Sequence, residues 1–242
     1  MLSETSRREQ FSILRVISRA WSSFRAIALK ALLISALFGM APEVVVASLV
    51  PPGDLGSYGV FNIPLMLTSL FAQAGLMWAA LRVQDGGLPS FSDTVAAGAK
   101  NFVGLFGVSL LAGLAILLGL VLLIIPGLYL MTVLSVAGPA RIERQQKTAS
   151  VFDESIQLTK GVRWRVFALL VIGLVVFLGA LLVLGFGLAF VPEDLLWADR
   201  LIVTPATTAA FLLVSSFGTA SLYHELRWGA GTSAGVMAEV FE

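Results

Sequence analysis

The sequence predicts an all-α integral membrane protein, with six transmembrane helices and three amphipathic helices lying along one face of the bilayer. Three observations predict it. The chain is 57% hydrophobic and only 13% charged, with a mean hydropathy of +0.91, whereas a soluble domain averages about 45–50% apolar and about 25% charged residues. So little polar surface does not cover a globule of 242 residues, and the excess apolar surface requires lipid as its solvent. The apolar residues gather in segments of the length needed to cross a bilayer, and the lysines and arginines fall almost entirely on one side of those segments.

A helix needs about 20 apolar residues to cross roughly 30 Å of hydrocarbon at about 1.5 Å per residue. Segments of that kind lie near 27–50, 60–81, 103–125, 128–146, 166–191 and 201–223. The first starts near Ile27, after a stretch containing Arg7, Arg8, Arg15, Arg19 and Arg25. It is longer than the h-region of a signal peptide and lacks a cleavage motif, so it reads as a retained span. Residues 101–140 carry no charge at all, a run too long for one crossing. Two helices joined by a turn at Pro126-Gly127 fit it, since proline does not extend a preceding helix and glycine permits the reversal. Tyr129 then has an amphipathic ring suited to the interface, and the second arm must run on past Arg141 and Arg144, whose stems snorkel.

Orientation follows from charge. Arg7, Arg8, Arg15, Arg19, Arg25 and Lys30 precede or open the first span; Arg82 and Lys100 lie between spans two and three; Arg141, Arg144, Lys147, Lys160, Arg163 and Arg165 lie between four and five; Arg227 follows span six. Only Arg200 falls on the other side, among the acidic residues Asp54, Glu193, Asp194 and Asp199. The positive-inside rule places both termini in the cytoplasm. The expected organisation is a cytoplasmic amphipathic segment over 1–26, a six-span membrane domain over 27–226 and a cytoplasmic tail over 227–242.

Each basic segment contains an amphipathic pattern at helical spacing. Phe11, Leu14, Ile17, Trp21 and Phe24 form the first, Phe91, Val95, Ala99 and Phe102 the second, and Val151, Phe152, Ile156 and Leu158 the third. Capping-box spacings precede them at Ser6…Glu9, Ser90…Asp93 and Ser150…Asp153. The recurrence predicts a repeated unit of interfacial helix, span, short outer turn and span. Apolar faces flanked by basic residues suit an anionic leaflet, so membrane lipids are the expected partners, together with a partner membrane protein or a second copy of the chain. Packing of the same helices under the bundle is the compatible alternative.

The candidate chemistry is sparse. Glu43 follows Pro42 inside the first apolar segment, and an ionisable residue at membrane depth marks a site by default. The alternative is a helix that ends at Pro42, with the following residues along the interface. Thr204, Thr208, Ser215 and Thr219 fall on one stripe of span six, and Asn62 and Gln73 lie in span two. Glu43, Gln73, Thr204, Thr208, Ser215 and Thr219 therefore form a candidate intramembrane polar site, though small hydroxyl residues also serve helix packing. Gly104, Gly107, Gly113, Gly179, Gly185 and Gly187 are read as points of close helix contact. His224 reads as a solitary interfacial histidine. Net charge of +1 offers no field for nucleic acid. The absence of cysteine and the single histidine exclude disulfides, thiol chemistry and Cys- or His-built metal sites, and no cofactor is expected. G-x-S-x-G, H-E-x-x-H and Walker motifs are absent.

LLIIPGLYL (122–130), Pro139, DESIQLTKGVRWRVF (153–167) and SLYHELR (221–227) resemble the membrane domain associated with glycerophosphoryl diester phosphodiesterases and the related stand-alone bacterial inner-membrane proteins. The opening FSILRVISRAW is similar to the start of the stand-alone forms. The resemblance is firmest from about Leu81 to Arg227 and rests on structural motifs: the Pro126-Gly127 turn with Tyr129, the LTKG segment with Trp164, and the closing Tyr-x-x-Leu-Arg. Val162 departs from it, at a position where such proteins often have a polar residue. The resemblance implies a six-helix domain in a bacterial inner membrane. The family's phosphodiesterase activity resides in a separate soluble barrel bearing acidic residues and histidines, so this chain is expected not to be an enzyme. The leading expectation is a protein that organises lipids or partner proteins. A small transporter or channel using a path near Glu43 is the alternative.

Overall fold

The computed structural model describes residues 11–51, 55–144, 148–188, 190 and 197–241, and the side chains among them except those of 55–58, 148, 188 and 229–241. The expected cap Ser6…Glu9 and the charges Arg7, Arg8, Asp54, Lys147, Glu193 and Asp194 lie outside these residues. All regular structure among the described residues is helical. The helices are α1 (Ile13–Ala26), α2 (Ala28–Leu49), α3 (Leu55–Gln84), α4 (Phe91–Leu122), α5 (Ile124–Leu134), α6 (Ala137–Arg144), α7 (Thr148–Thr159), α8 (Arg163–Leu188) and α9 (Thr204–Phe241). Six stretches are long and apolar enough to cross a membrane: Ala28–Leu49, Gly59–Gln84, Phe91–Leu122, Ile124–Arg144, Arg163–Gly187 and Asp199–Trp228. They coincide with the six expected segments, and the last helix runs through position 227 without interruption.

Span one does not stop at Pro42. It passes through a π-helical turn at Ala36–Met40 and continues to Leu49. A proline inside a helix removes one hydrogen bond, and its ring collides with the carbonyl four residues back. The wider π turn moves that carbonyl aside. Span six uses the same device, with a π turn at Asp199–Val203 just before Pro205.

The hairpin of spans three and four reverses at Leu123, not at Pro126-Gly127. Leu123 is extended, with φ −161° and ψ 140°, and Pro126 is the third residue of α5. The first turn of a helix has unpartnered N–H groups in any case, so proline fits there at no cost in hydrogen bonds. Gly127 serves close approach instead of reversal. A Cβ on Gly119 would lie 2.9 Å from the Gly127 Cα, and one on Gly127 would strike Leu120. Tyr129 does not lie free beside the turn: the Arg163 guanidinium sits 5.1 Å from its ring centre, joining α5 to the start of α8.

The three amphipathic segments join their spans in different ways. α1 is separated from α2 only by Ile27. The second segment is continuous with span three in one helix of 32 residues. Its expected capping box forms, with Ser90 Oγ accepting from the Asp93 N–H at 3.1 Å and Asp93 accepting from the Ser90 N–H at 3.0 Å. The packed face of that helix is Thr94, Ala97, Gly98 and Asn101, while Phe91 and Ala99 are exposed and Val95 and Phe102 are half-buried. The third box does not form, because Ser150 is already the third residue of α7. α7 is docked: Val151 is buried, and the buried Ser155 hydroxyl donates to the Val133 carbonyl at 2.6 Å. Gly161, with φ +86°, ends α7 in a conformation that favours glycine, which accounts for the LTKG segment.

The glycine expectation is largely corrected. A Cβ on Gly107, Gly113, Gly179, Gly185 or Gly187 would meet nothing within 4 Å. The close contacts fall at Gly39 against Leu212, Gly75 against the Thr94 carbonyl and Gly98 against Phe71, while Gly104 faces the Arg141 guanidinium. The core gathers toward the charged end, around Leu76, Leu105, Val136, Ala140, Val151 and Leu222. α8 shows the least burial of the six spans, and Val175, Val176, Leu182, Val183 and Phe186 are exposed along it.

Candidate functional site

The expected intramembrane polar site divides into two separate pairs. Glu43, on α2 just past the π turn, is engaged by the Thr208 hydroxyl of α9, and its Oε2 is enclosed without a hydrogen-bond partner. Further along α9, the Gln73 amide donates to Ser215 Oγ at 3.5 Å. Thr219 turns back on its own helix, donating to the Ser215 carbonyl at 2.6 Å. Thr204 and Asn62 are exposed and join neither pair. The stripe is real as a helical face but is not one polar path, because α2 and α3 meet α9 at different heights. Short hydroxyl side chains bond to the carbonyl of the preceding turn when no partner stands opposite. Beside Glu43, a crevice of about 380 Å³ is walled by Leu37, Pro42, Val45, Pro64 and Leu65, and it is apolar.

The denser polar site is at the charged end, on residues 221–227. Ser221 accepts from the Gln84 amide at 2.8 Å. The Tyr223 hydroxyl donates to Glu154 Oε1 at 3.1 Å, and the same oxygen pairs with Arg144 at 3.1 Å. His224 Nδ1 is 2.9 Å from Arg19 Nη1, and its Nε2 is 3.9 Å from Asp85. Glu225, only 7% exposed, pairs with Arg15 at 2.9 Å and Arg19 at 3.2 Å. Arg227 pairs with Glu143. The polar residues of about two helical turns thus reach α1, α3, α6 and α7. His224 is not solitary, and its ring also stacks on Trp228. The reason lies in helical geometry: residues spread over the seven positions 221–227 point around the whole circumference of α9, and together they meet four neighbouring helices. Sequence reasoning read SLYHELR as a motif but gave its residues no partners, which lie far away in the chain.

Sequence reasoning missed one feature entirely. A cleft of about 480 Å³ opens between the end of α3, the first turns of α4 and α6. Trp78, Arg82, Asp85, Asp93, Lys100, Asn101 and Glu143 line it. The Arg82 guanidinium lies 5.4 Å from the Trp78 ring centre. Trp164, singled out by the sequence, is 82% exposed and touches Phe167 edge-on instead of entering any site. Among the described residues no three His, Asp or Glu side chains gather as a metal-ligand group.

Comparison with protein-family models, with curated proteins and with solved structures finds no match to this chain.

Proposed function

We propose that this chain is a non-enzymatic, multi-pass membrane protein that contacts and organises lipids, and with them partner membrane proteins, along its basic face. One observation carries the reading. Leu14, Ile17 and Trp21 lie exposed along one side of α1, while Arg15 and Arg19 on the same helix grip the buried Glu225. The helix is thus docked on the bundle through Val16, Ser23 and the two arginines and offers a separate apolar strip ending in tryptophan, the residue favoured at the headgroup boundary. Arg25 and Lys160 are exposed and suit an anionic leaflet. The charge distribution supports a cytoplasmic placement of that face, and the motif resemblance supports a bacterial inner membrane and kinship with the phosphodiesterase-associated membrane domains.

Spin-labelled phospholipids around the reconstituted protein test this. An anionic lipid is expected to show a larger motionally restricted fraction than phosphatidylcholine, and the difference is expected to shrink with salt. Replacing Leu14, Ile17 and Trp21 by serine, together with Arg25→Gln, should reduce it. Equal fractions for both lipids, unmoved by salt or by these substitutions, would refute the proposal.

A second reading, a small transporter or channel, is favoured by the Glu43–Thr208 pair between two proline-linked π turns, since such turns often occur at functional sites. It predicts ion-dependent flux into proteoliposomes that Glu43→Gln abolishes. Flux at the level of empty vesicles removes it.

A further inference from the structure

The cleft between α3, α4 and α6 has groups that the fold leaves unused. Arg82 and Lys100 take part in none of the ion pairs among the described residues. Arg82 lies with its plane near Trp78, an arrangement that leaves guanidinium N–H groups free for an acceptor. Glu143 gives one carboxylate oxygen to Arg227, while the other, Oε2, is enclosed with no hydrogen-bond donor. Asp85 is half-exposed, with the His224 Nε2 3.9 Å away. Asp93 serves the N-terminus of α4, its Oδ2 accepting from the Ser90 N–H and hydroxyl. What remains is two cations, Arg82 at the end of α3 and Lys100 on α4, and two carboxylates, Asp85 just after α3 and Glu143 on α6, lining one cleft. Trp78, Leu81 and Ile142 add apolar surface to the same lining.

The height of the cleft identifies the setting. α4 has 32 residues, or about 48 Å at about 1.5 Å each, against roughly 30 Å of hydrocarbon. If its end at Leu122 marks one border, the surplus length places the residues before about position 102 beyond the other, at headgroup level. Asp93 to Asn101 line the cleft from that surplus, and Trp78 to Asp85 line it from the last turns of α3.

We infer that this cleft holds the headgroup of a phosphatidylethanolamine, its phosphate against Arg82 and Lys100 and its ammonium toward Glu143 and Asp85. The inference rests on the lipid-contacting function proposed above and narrows it to one headgroup. A phosphodiester carries one negative charge and accepts from both cations; a primary ammonium brings three donors to the unpartnered carboxylate oxygen. Phosphatidylcholine has no N–H to give Glu143, and burying that oxygen against methyl groups leaves it unsatisfied. Phosphatidylglycerol and inorganic phosphate bring no cation at all. The volume of about 480 Å³ falls within the roughly 300–1,000 Å³ usual for small-ligand sites.

The full chain is reconstituted in equal parts of phosphatidylethanolamine, phosphatidylcholine and phosphatidylglycerol, then weighed by native mass spectrometry after detergent stripping. One phosphatidylethanolamine per protein is expected to survive, about tenfold in preference to phosphatidylcholine, the factor expected of one charge-assisted hydrogen bond. Glu143→Gln should bring the two lipids to near parity, and Lys100→Gln should lower phosphatidylethanolamine retention several-fold. Lys100 is exposed, so its variant keeps the test decisive if Glu143→Gln does not fold. Soluble phosphoethanolamine at matched concentration should not displace the lipid. Parity in the unaltered protein, retention unchanged by Lys100→Gln, or displacement by soluble phosphoethanolamine would overturn the inference. Selective retention of phosphatidylglycerol would overturn it and leave the broader lipid-contacting function standing; retention of no lipid would overturn both.

Discussion

Glu225 shows how a single residue holds the charged end together. A carboxylate 7% exposed pays a large desolvation cost, and two guanidiniums offset it from α1. Removing both Arg15 and Arg19 strands the charge. A wholly enclosed pair broken in this way costs about 3–5 kcal/mol; Arg15 is 54% exposed, so water screens part of the interaction and about 2–3 kcal/mol is expected. Arg15→Ala with Arg19→Ala should therefore lower the unfolding midpoint in detergent, and adding Glu225→Leu should recover much of the loss, because the orphaned charge is then gone. If the double and triple variants unfold alike, Glu225 is not stabilised in this way. Glycines give a second test at the same scale. A Cβ on Gly75 would stand 2.6 Å from the Thr94 carbonyl oxygen, so Gly75→Ala must push α3 and α4 apart, at about 1–3 kcal/mol. Gly107→Ala meets open space and should be neutral or slightly stabilising, since alanine favours the helix by roughly 1 kcal/mol. Thermal unfolding of the two variants side by side distinguishes a contact glycine from a lipid-facing one.

At the scale of elements, the six spans were legible because each is a continuous apolar run of crossing length, a property local to the sequence. The continuation of α2 past Pro42 was not. Whether a proline ends a helix depends on whether the preceding turn widens, and that depends on α9 packing against it. Leu123 shows the same limit. Pro126-Gly127 announces a reversal, but proline is equally at home in the first turn of a helix, and only the contact between Gly119 and Gly127 decides between the two. The glycines of spans three and five looked alike in sequence; which of them meet a neighbour depends on rotation of each helix about its axis. The polar site was half legible. Glu43 and Thr208 do meet, as do Gln73 and Ser215, because the residue types at membrane depth restrict the partners. The cleft beside Trp78 was illegible, since its walls come from segments up to 65 positions apart, from Trp78 to Glu143.

At the scale of the whole molecule, the ends of the bundle differ in kind. Arg15, Arg19, Asp85, Glu143, Arg144, Glu154, Glu225 and Arg227 meet at one end. At the far end of α2, Arg200 donates to the Val50 carbonyl. Such sorting is what an even number of crossings produces, and α1 packs against α9 at the charged end. The chain has no cysteine, so a single introduced thiol is an unambiguous probe of sidedness. Lys160→Cys and Pro51→Cys both stand at exposed positions, the first at the charged end and the second at the opposite one. In intact cells a membrane-impermeant maleimide should label the cysteine at 51 and leave that at 160 unreacted until the membrane is opened. The reverse pattern would keep six spans and invert the orientation, overturning the cytoplasmic placement proposed for the lysine- and arginine-rich end. Equal labelling of both would place the two positions in one compartment, which six membrane crossings joined in this order do not permit.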